Sequence, residues 1–398
     1  MDLKSSHPFW PLQDGLLGIY PSLKQDLHCE VAIVGGGISG ALVADALIRE
    51  GVDVVLVDRR DIAGGSTSAS TALLQYEIDV HLTDLARRYG RADAERVYRL
   101  CLESIGKTGR LLASDDCGFE PRSSVYLASQ PSDVPGLRAE WRARRRAGID
   151  VRFLSARELG RRFSFEGAGA ILSSDAAVLN PYRATHALVA RATRGGLRVF
   201  DRTAVTVHQV GKRHVVLKSD RGCKIIARKV VFAAGYEAGA FLKRRIARLH
   251  STFAFVSEPL AAFPGWDEKC TLWETARPYF YLRTTTDGRV LVGGEDVPFR
   301  DPEKRDRLIP RQTARLLWRF RKMFPEVDLE VAFAWAGTFG ETDDGLAYIG
   351  TVPEMPHCYF ALGFGGNGVT FSVIASELLR DAILGRLNPD ARLFRFDR

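Results

Sequence analysis

The sequence has no run of about 18 apolar residues, so an ordinary transmembrane helix is excluded. Its opening stretch, MDLKSSHPFWPLQDG, lacks a continuous apolar segment, which argues against a secretory signal. The six cysteines (Cys29, Cys101, Cys117, Cys223, Cys270 and Cys358) are widely scattered, without a C-x-x-C pair or zinc-like spacing. Reduced thiols in a cytoplasmic protein are the expectation. There is no G-x-S-x-G, hence no nucleophile elbow for hydrolysis, and no ligand cluster on which metal chemistry could rest. Internal repeats and low-complexity tracts are absent too.

What is present suffices for a large core: 398 residues, 46% hydrophobic and 26% charged, a length that fits two domains. The net charge of +8 comes partly from Arg142, Arg144, Arg145 and Arg146 and from Lys243-Arg244-Arg245. Elsewhere basic residues are interleaved with Asp and Glu along helix-like stretches such as 84–110, the pattern of a solvated face. A nucleic-acid partner is therefore not expected.

The chain is organised around residues 29–58, CEVAIVGGGISGALVADALIREGVDVVLVD. Val31-Ala32-Ile33-Val34 reads as a buried parallel strand. It breaks into Gly35-Gly36-Gly37-Ile38-Ser39-Gly40, a G-x-G-x-x-G, then a helix to Glu50, a cap at Gly51, and a second strand, Val54 through Val57, ending at Asp58. Gly35 allows the tight turn, Gly37 lets backbone approach a pyrophosphate, and Gly40 permits close helix–strand packing. The helix start offers unpaired N–H groups to phosphates. Asp58 can accept hydrogen bonds from ribose hydroxyls. A lone glycine motif is weak evidence, but here every part of a dinucleotide-binding βαβ unit falls at its required spacing.

Residues 1–28 look like an extended arm. After Asp58 comes a loop of small residues, Ala63-Gly64-Gly65-Ser66-Thr67-Ser68-Ala69-Ser70-Thr71, read as a ligand contact because it leaves the strand end facing the dinucleotide. Helices are expected at 84–113, 134–147, 181–194 and 307–323. Strands are expected at 123–128, 168–173, 252–256, 279–284, 289–292 and 329–335, with a β-meander over 203–226 ending in a buried strand at 229–235. In 329–335, Leu329, Val331, Phe333 and Trp335 should share one face and Ala332, Ala334 and Ala336 the other. A last strand, 359–362, leads through Gly363-Phe364-Gly365-Gly366-Asn367-Gly368 into a terminal helix.

That late loop repeats the first device, glycines entering a helix start that would stabilise negative charge. On its own it reads better as a tight turn without a ligand. In Arg277-Pro278-Tyr279-Phe280-Tyr281-Leu282-Arg283, alternation puts Tyr279, Tyr281 and Arg283 on one face and Phe280 and Leu282 in the core. Two phenols and a guanidinium could hold a carboxylate. An exposed face with Arg stacked on Tyr fits the residues equally well.

Taken together, VAIVGGGISG, the loop 64–71, VVFAAG at 230–235, YFYLRTTTDGRVLVGGED at 279–296, WAGTFGETDDGLAYIG at 335–350 and GFGGNGVTFS at 363–372 resemble, in order, the D-amino-acid oxidase family of FAD-dependent oxidoreductases. The resemblance implies an α/β fold: a Rossmann-like FAD domain (1–115, 165–250 and 330–398) and a β-rich substrate domain (116–164 and 251–329). By position it implies that Gly35, Gly37, Ile38 and Ser39, with Gly40 behind them, meet the pyrophosphate, and that Asp58 and Arg59 meet the adenosine end. Gly65, Ser66, Thr67, Ser70, Thr71 and Ala72 would line the path to the flavin, Val205 would meet adenine, and Ala234 and Gly235 would flank the ribityl chain. Gly366, Asn367, Gly368, Val369 and Thr370 would cap the flavin's pyrimidine edge.

The same resemblance makes Tyr279, Tyr281 and Arg283 favoured pocket residues, with Gln75, Tyr76 and Trp335 weaker candidates. It implies hydride transfer from the carbon of a small amine or amino acid to the flavin, giving an imine that water hydrolyses, with O2 or an unknown partner as electron acceptor. Family members that attach flavin covalently use a cysteine in the segment matching 337–344; none stands here, nor is there a histidine in 64–71, so non-covalent FAD is expected. Other readings are a flavoenzyme trimming a modified tRNA base, a non-catalytic FAD sensor, and an NAD-linked dehydrogenase.

Overall fold

The computed structural model describes residues 2–5, 7–242, 246–299 and 301–398. The basic cluster Lys243-Arg244-Arg245 lies outside them.

The βαβ unit forms as read. Leu27–Val34 pairs in parallel with Val54–Val57, and the helix Ile38–Ile48 joins them. Both strands are buried on two faces, which is why they are nearly unbroken runs of β-branched residues; each fully buried Val or Ile contributes about 1.5–3 kcal/mol. This sheet runs Tyr348–Thr351, Cys358–Leu362, Lys224–Phe232, Leu27–Val34, Val54–Val57, Arg198–Phe200. The hairpin Val205–Val210 and Val215–Ser219 hangs on the first half of Lys224–Phe232, whose second half pairs with Cys358–Leu362. The expected meander and the buried strand after it are thus joined by one continuous strand. Val31 and Ile33 pack towards the helices Ile38–Ile48, Pro181–Arg194 and Gly368–Ile383, while Ala32 and Val34 join Phe232, Phe360 and Leu217 on the opposite face.

The second sheet runs Val331–Glu341, Arg248–Ser257, Val290–Pro298, Phe280–Thr284, Thr271–Glu274, Glu120–Leu127, Gly169–Val178, Leu73–Leu74, with Val151–Ser155 also on Gly169–Val178. Two strands expected in the dinucleotide unit, Gly169–Val178 and Val331–Glu341, hydrogen-bond here instead. The chain crosses between sheets more often than hydropathy reveals, because buried strands of either sheet carry the same apolar signature. Helix Ile309–Met323 covers the outer face through Leu316 and Phe320.

Several local expectations are corrected. The helix expected over 84–113 is two, Leu82–Tyr89 and Arg91–Leu111, broken at Gly90, whose φ is +83°. The one at 307–323 is preceded by a separate turn, Pro302–Arg307. The arm contains a helix, Phe9–Asp14. In Val331–Glu341 a register shift opposite Val256 and Ser257 divides the faces: Leu329 and Val331 pack with Ala334 and Ala336, and Phe333 and Trp335 face Phe9. Arg144, one of the clustered arginines behind the net charge, is fully buried and adds nothing to a basic surface.

The amino-terminal residues extend this sheet. The Ser5 N–H donates to Ala336 O (2.9 Å) and the Thr338 N–H to Leu3 O (2.8 Å), so residues 3–5 run along the outer edge of Val331–Glu341, whose Gly340 O further on accepts the Gly365 N–H (3.1 Å).

Candidate active site

A cavity of about 1100 Å³ lies between the two sheets. One wall is made by the carboxyl ends of the parallel strands (Val34, Val57 and Asp58), the turn Ala233-Ala234-Gly235 and the late loop 363–369. The other comes from the second sheet: Thr252, Ala254, Trp273, Tyr279, Tyr281, Asp296, Trp335 and Phe339. Ligands of open parallel sheets bind at such strand ends.

Two helices begin at the cavity, Ile38–Ile48 at the nucleotide end and Gly368–Ile383 at the far end, and within them Ser39 Oγ meets Ser372 Oγ at 2.7 Å. A Cβ on Gly35 would lie 2.4 Å from Ala233 O, and one on Gly40 would lie 1.8 Å from Gly35 O. These two glycines are therefore required by packing, whereas a Cβ on Gly37 would meet only Thr67 Oγ1, at 3.0 Å, on the cavity side. Thr67 Oγ1 accepts the Ile38 N–H at 3.0 Å. Asp58 accepts N–H groups from Gly36 (2.6 Å) and Arg60 (2.7 Å). Burial nevertheless pushes its carboxyl up to about 6, against the pull of those hydrogen bonds. Arg59 and Arg60 both pair with Glu237 beside it.

The small-residue loop contains a short helix, Ser66–Ala69, and is pinned from outside. Trp335 Nε1 donates to Ala69 O (2.9 Å), Trp10 Nε1 to Ser70 O (2.7 Å), and Arg283 Nε to Thr71 O (2.7 Å). Ser66 Oγ, on the lining, is buried without a partner. At the far end Asn367 Nδ2 donates to Gln75 O and Glu77 O, and Thr370 Oγ1 to Gln75 O. Asp79 joins the late loop to the second sheet: it accepts from the Gly366 N–H (3.2 Å) and the Tyr279 hydroxyl (2.9 Å).

In the second sheet Tyr281 stands opposite Gly293, where a Cβ would strike its ring at 2.4 Å. Gly293 thus gives the phenol its way into the cavity. Burial pushes the Tyr281 hydroxyl up to about 12. The next residues form a bulge: Ser251 pairs with Val297 but Phe253 pairs with Gly294, so Thr252 alone opposes Glu295 and Asp296. Glu295, at φ +54°, turns to Arg315 and Arg319 on the covering helix, and Asp296 turns into the cavity. Trp273, stacked on Tyr126 with centroids 3.7 Å apart, presents an Nε1 that is buried without a partner.

Of the expected cofactor residues, Gly35, Gly37, Ile38, Ser39, Asp58, Arg59, Gly65, Ser66, Thr67, Ser70, Thr71, Ala72, Val205, Ala234, Gly235, Gly366, Asn367, Gly368 and Val369 line the cavity. Gly40 and Thr370 stand behind it, supporting the turn and Gln75. Tyr279, Tyr281, Trp335 and Gln75 also line it. Two candidates do not. Arg283 lies on the expected strand face but beyond the cavity: besides Thr71 O it donates to Leu179 O (2.9 Å), and burial lowers its pKa to about 9. Tyr76 is fully buried and hydrogen-bonds Arg144, which also pairs with Glu77 (3.3 Å) and Glu140 (2.8 Å). Thr252, Trp273, Asp79 and Asp296 were missed. The paired glycines before Glu295 were a legible bulge signal; Asp79 had none.

The residues fit FAD. Two helix starts, a buried carboxylate and an unpartnered hydroxyl face one continuous groove that passes from Asp58 to the second sheet. Residues 30–382 match the DAO family, described as FAD dependent oxidoreductase. The chain belongs to that family. It is an FAD-dependent oxidoreductase by membership, and similar proteins are distant in sequence. Glycine oxidase of Bacillus subtilis (strain 168) is 25% identical over 93% of this chain and 98% of its own. Gamma-glutamylputrescine oxidoreductase of Escherichia coli (strain K12) is 23% identical over 92% and 86%. The crystal structure of glycine oxidase from Geobacillus kaustophilus superposes with a TM-score of 0.80 at 21% identity, covering 91% and 96%. Among the described residues, no helix is long and apolar enough to cross a membrane.

Proposed function

We propose that this DAO-family oxidoreductase holds FAD non-covalently and oxidises the C–N bond of a small amine or amino acid, the imine product then hydrolysing. The observation that carries the reading is the continuity of the groove: the nucleotide wall opens directly onto a walled chamber with two phenols, a threonine hydroxyl and two tryptophans. The names of the similar proteins support the substrate class, and the lack of cysteine and histidine among the described residues of the lining supports a cofactor held without a covalent bond.

Gly35, Gly37 and the Ser39 N–H would hold the pyrophosphate, with Ile38, whose own N–H is given to Thr67 Oγ1, beside them; Asp58 would meet the ribose and the 366–369 turn the ring edge. Bound flavin supplies a two-electron acceptor for the substrate's C–H bond. The chain's contribution is placement. Tyr281, kept protonated, offers a hydroxyl to the substrate, Thr252 lies beside it, and Trp273 and Trp335 close the chamber to water. Hydride leaves the carbon only once its nitrogen is neutral, so an amine that binds as the ammonium first gives up one proton; no histidine stands among the described lining residues, and the lining carboxylates Asp79 and Asp296 are able to take it.

The test is direct. The purified protein should be yellow, release its flavin on denaturation, and lose visible absorbance when an amine or amino acid is added without oxygen. A bound flavin that no such compound reduces would instead point to a sensor. Peroxide formed in air would identify O2 as the acceptor.

A further inference from the structure

We propose that Asp296 recognises the substrate's ammonium group, and that the substrate is a cationic amine with no carboxylate inside the chamber. The inference rests on the amine-oxidising reading and narrows it.

The first observation is how Asp296 arrives. Gly294 at φ +136° and Glu295 at φ +54° place two residues opposite Thr252, and this irregularity sends one carboxylate outward to arginines and the next inward. A non-glycine residue in the left-handed region is strained, and such distortions gather where a side chain has to be re-aimed. The second is that Asp296 Oδ1 is enclosed without a hydrogen-bond partner, while the carboxyl makes a side-chain hydrogen bond with Thr252, which stands opposite it on the neighbouring strand. Burial pushes this carboxyl up to about 7; Asp79 and Glu341 push the same way, and Arg277 and the Thr252 hydrogen bond oppose it. A partly buried carboxylate whose described partner is a neutral hydroxyl asks for a cation.

The third is the charge of the lining. Among the described residues, the arginines that line the cavity are Arg59 and Arg60, at the nucleotide end, and both are paired with Glu237. Arg283 is spent on backbone carbonyls. Arg277 lies off the lining, over the Tyr279 ring at 3.5 Å, and donates to Asp79 O. Trp273 adds a neutral donor. A substrate carboxylate would therefore enter a chamber that already holds Asp79, paired with Arg277 at 4.0 Å, and Asp296, with no described cation on the lining itself to offset the second.

Three compounds without a hydrogen on the amine-bearing carbon separate the charges without turnover: tert-butylammonium, pivalate and 2-aminoisobutyrate. Titrated against the flavin-loaded protein and read by the flavin spectrum and tryptophan fluorescence, tert-butylammonium should bind at least tenfold more tightly than the other two. Asp296→Asn should lose at least tenfold of that affinity at unchanged flavin content, Asp296→Glu should keep part of it, and ligand-free Asp296→Asn should melt higher than the parent above pH 7. Equal or tighter binding of 2-aminoisobutyrate, or an Asp296→Asn affinity within twofold of the parent, overturns the proposal. If Asp296→Asn does not fold, the parent's discrimination between the three compounds decides alone. Flavin that no amine or amino acid reduces would defeat the functional reading. Reduction by amino acids with Asp296 indifferent would defeat this inference alone.

Discussion

Carbonyls 69, 70 and 71 are each taken by a side-chain N–H from a different element: Trp335 from the second sheet's edge strand, Trp10 from the amino-terminal helix, Arg283 from an interior strand. The loop that would follow the flavin is thus fixed from behind by three parts of the chain. Arg283→Met leaves two buried carbonyls unpaired, at about 1–3 kcal/mol each. The expected outcome is a loss of about 2–6 kcal/mol in denaturant unfolding and reduced flavin retention, with an unchanged ratio of activities on amines and on amino acids. A selective loss on amino acids would return Arg283 to the substrate's side. Alternation gave the correct face for Arg283, since Tyr279 and Tyr281 share it and line the cavity. It could not tell how far along the strand the cavity reaches. Tyr76 shows the same limit: its neighbours Gln75 and Glu77 reach the lining, and it turns away to Arg144.

At the scale of elements, the first glycine turn separates folding from binding. Gly40 faces Gly35 O and Gly37 faces the cavity. Gly40→Ala should therefore fail to give soluble folded protein, because a methyl group cannot sit 1.8 Å from a carbonyl. Gly37→Ala should fold with a circular dichroism melt close to the parent's and retain at least tenfold less flavin. If both variants fold and both bind flavin, this division of roles is wrong. The βαβ unit was legible because strand, turn, helix and acid each carry a separate local signal that agrees with the others. The bulge at Glu295 and the break at Gly90 went unresolved although glycines at 293, 294 and 90 mark both, because where the chain turns next is set by its partners, such as the covering helix's arginines that draw Glu295 outward.

At the scale of the molecule, the two-sheet plan followed from the motifs taken together, while the allocation of strands did not. Gly169–Val178 and Val331–Glu341 read as either sheet, and pairing partners remote in sequence decide the matter. The arm's contribution was also hidden, because residues 3–5 carry no strand-like alternation. They are held by main-chain hydrogen bonds to Ala336 and Thr338, and Leu3 reaches the cavity itself. A chain begun at Phe9 should lose on two counts. The groove would gain a side opening to water, which should raise the flavin dissociation constant and be measurable by dialysis against free cofactor. The bared margin of Val331–Glu341 would offer unpaired N–H and C=O groups to other molecules, so size-exclusion profiles should become concentration-dependent. The first few residues thus act as a hem, finishing a border that would otherwise fray towards solvent and towards neighbouring chains.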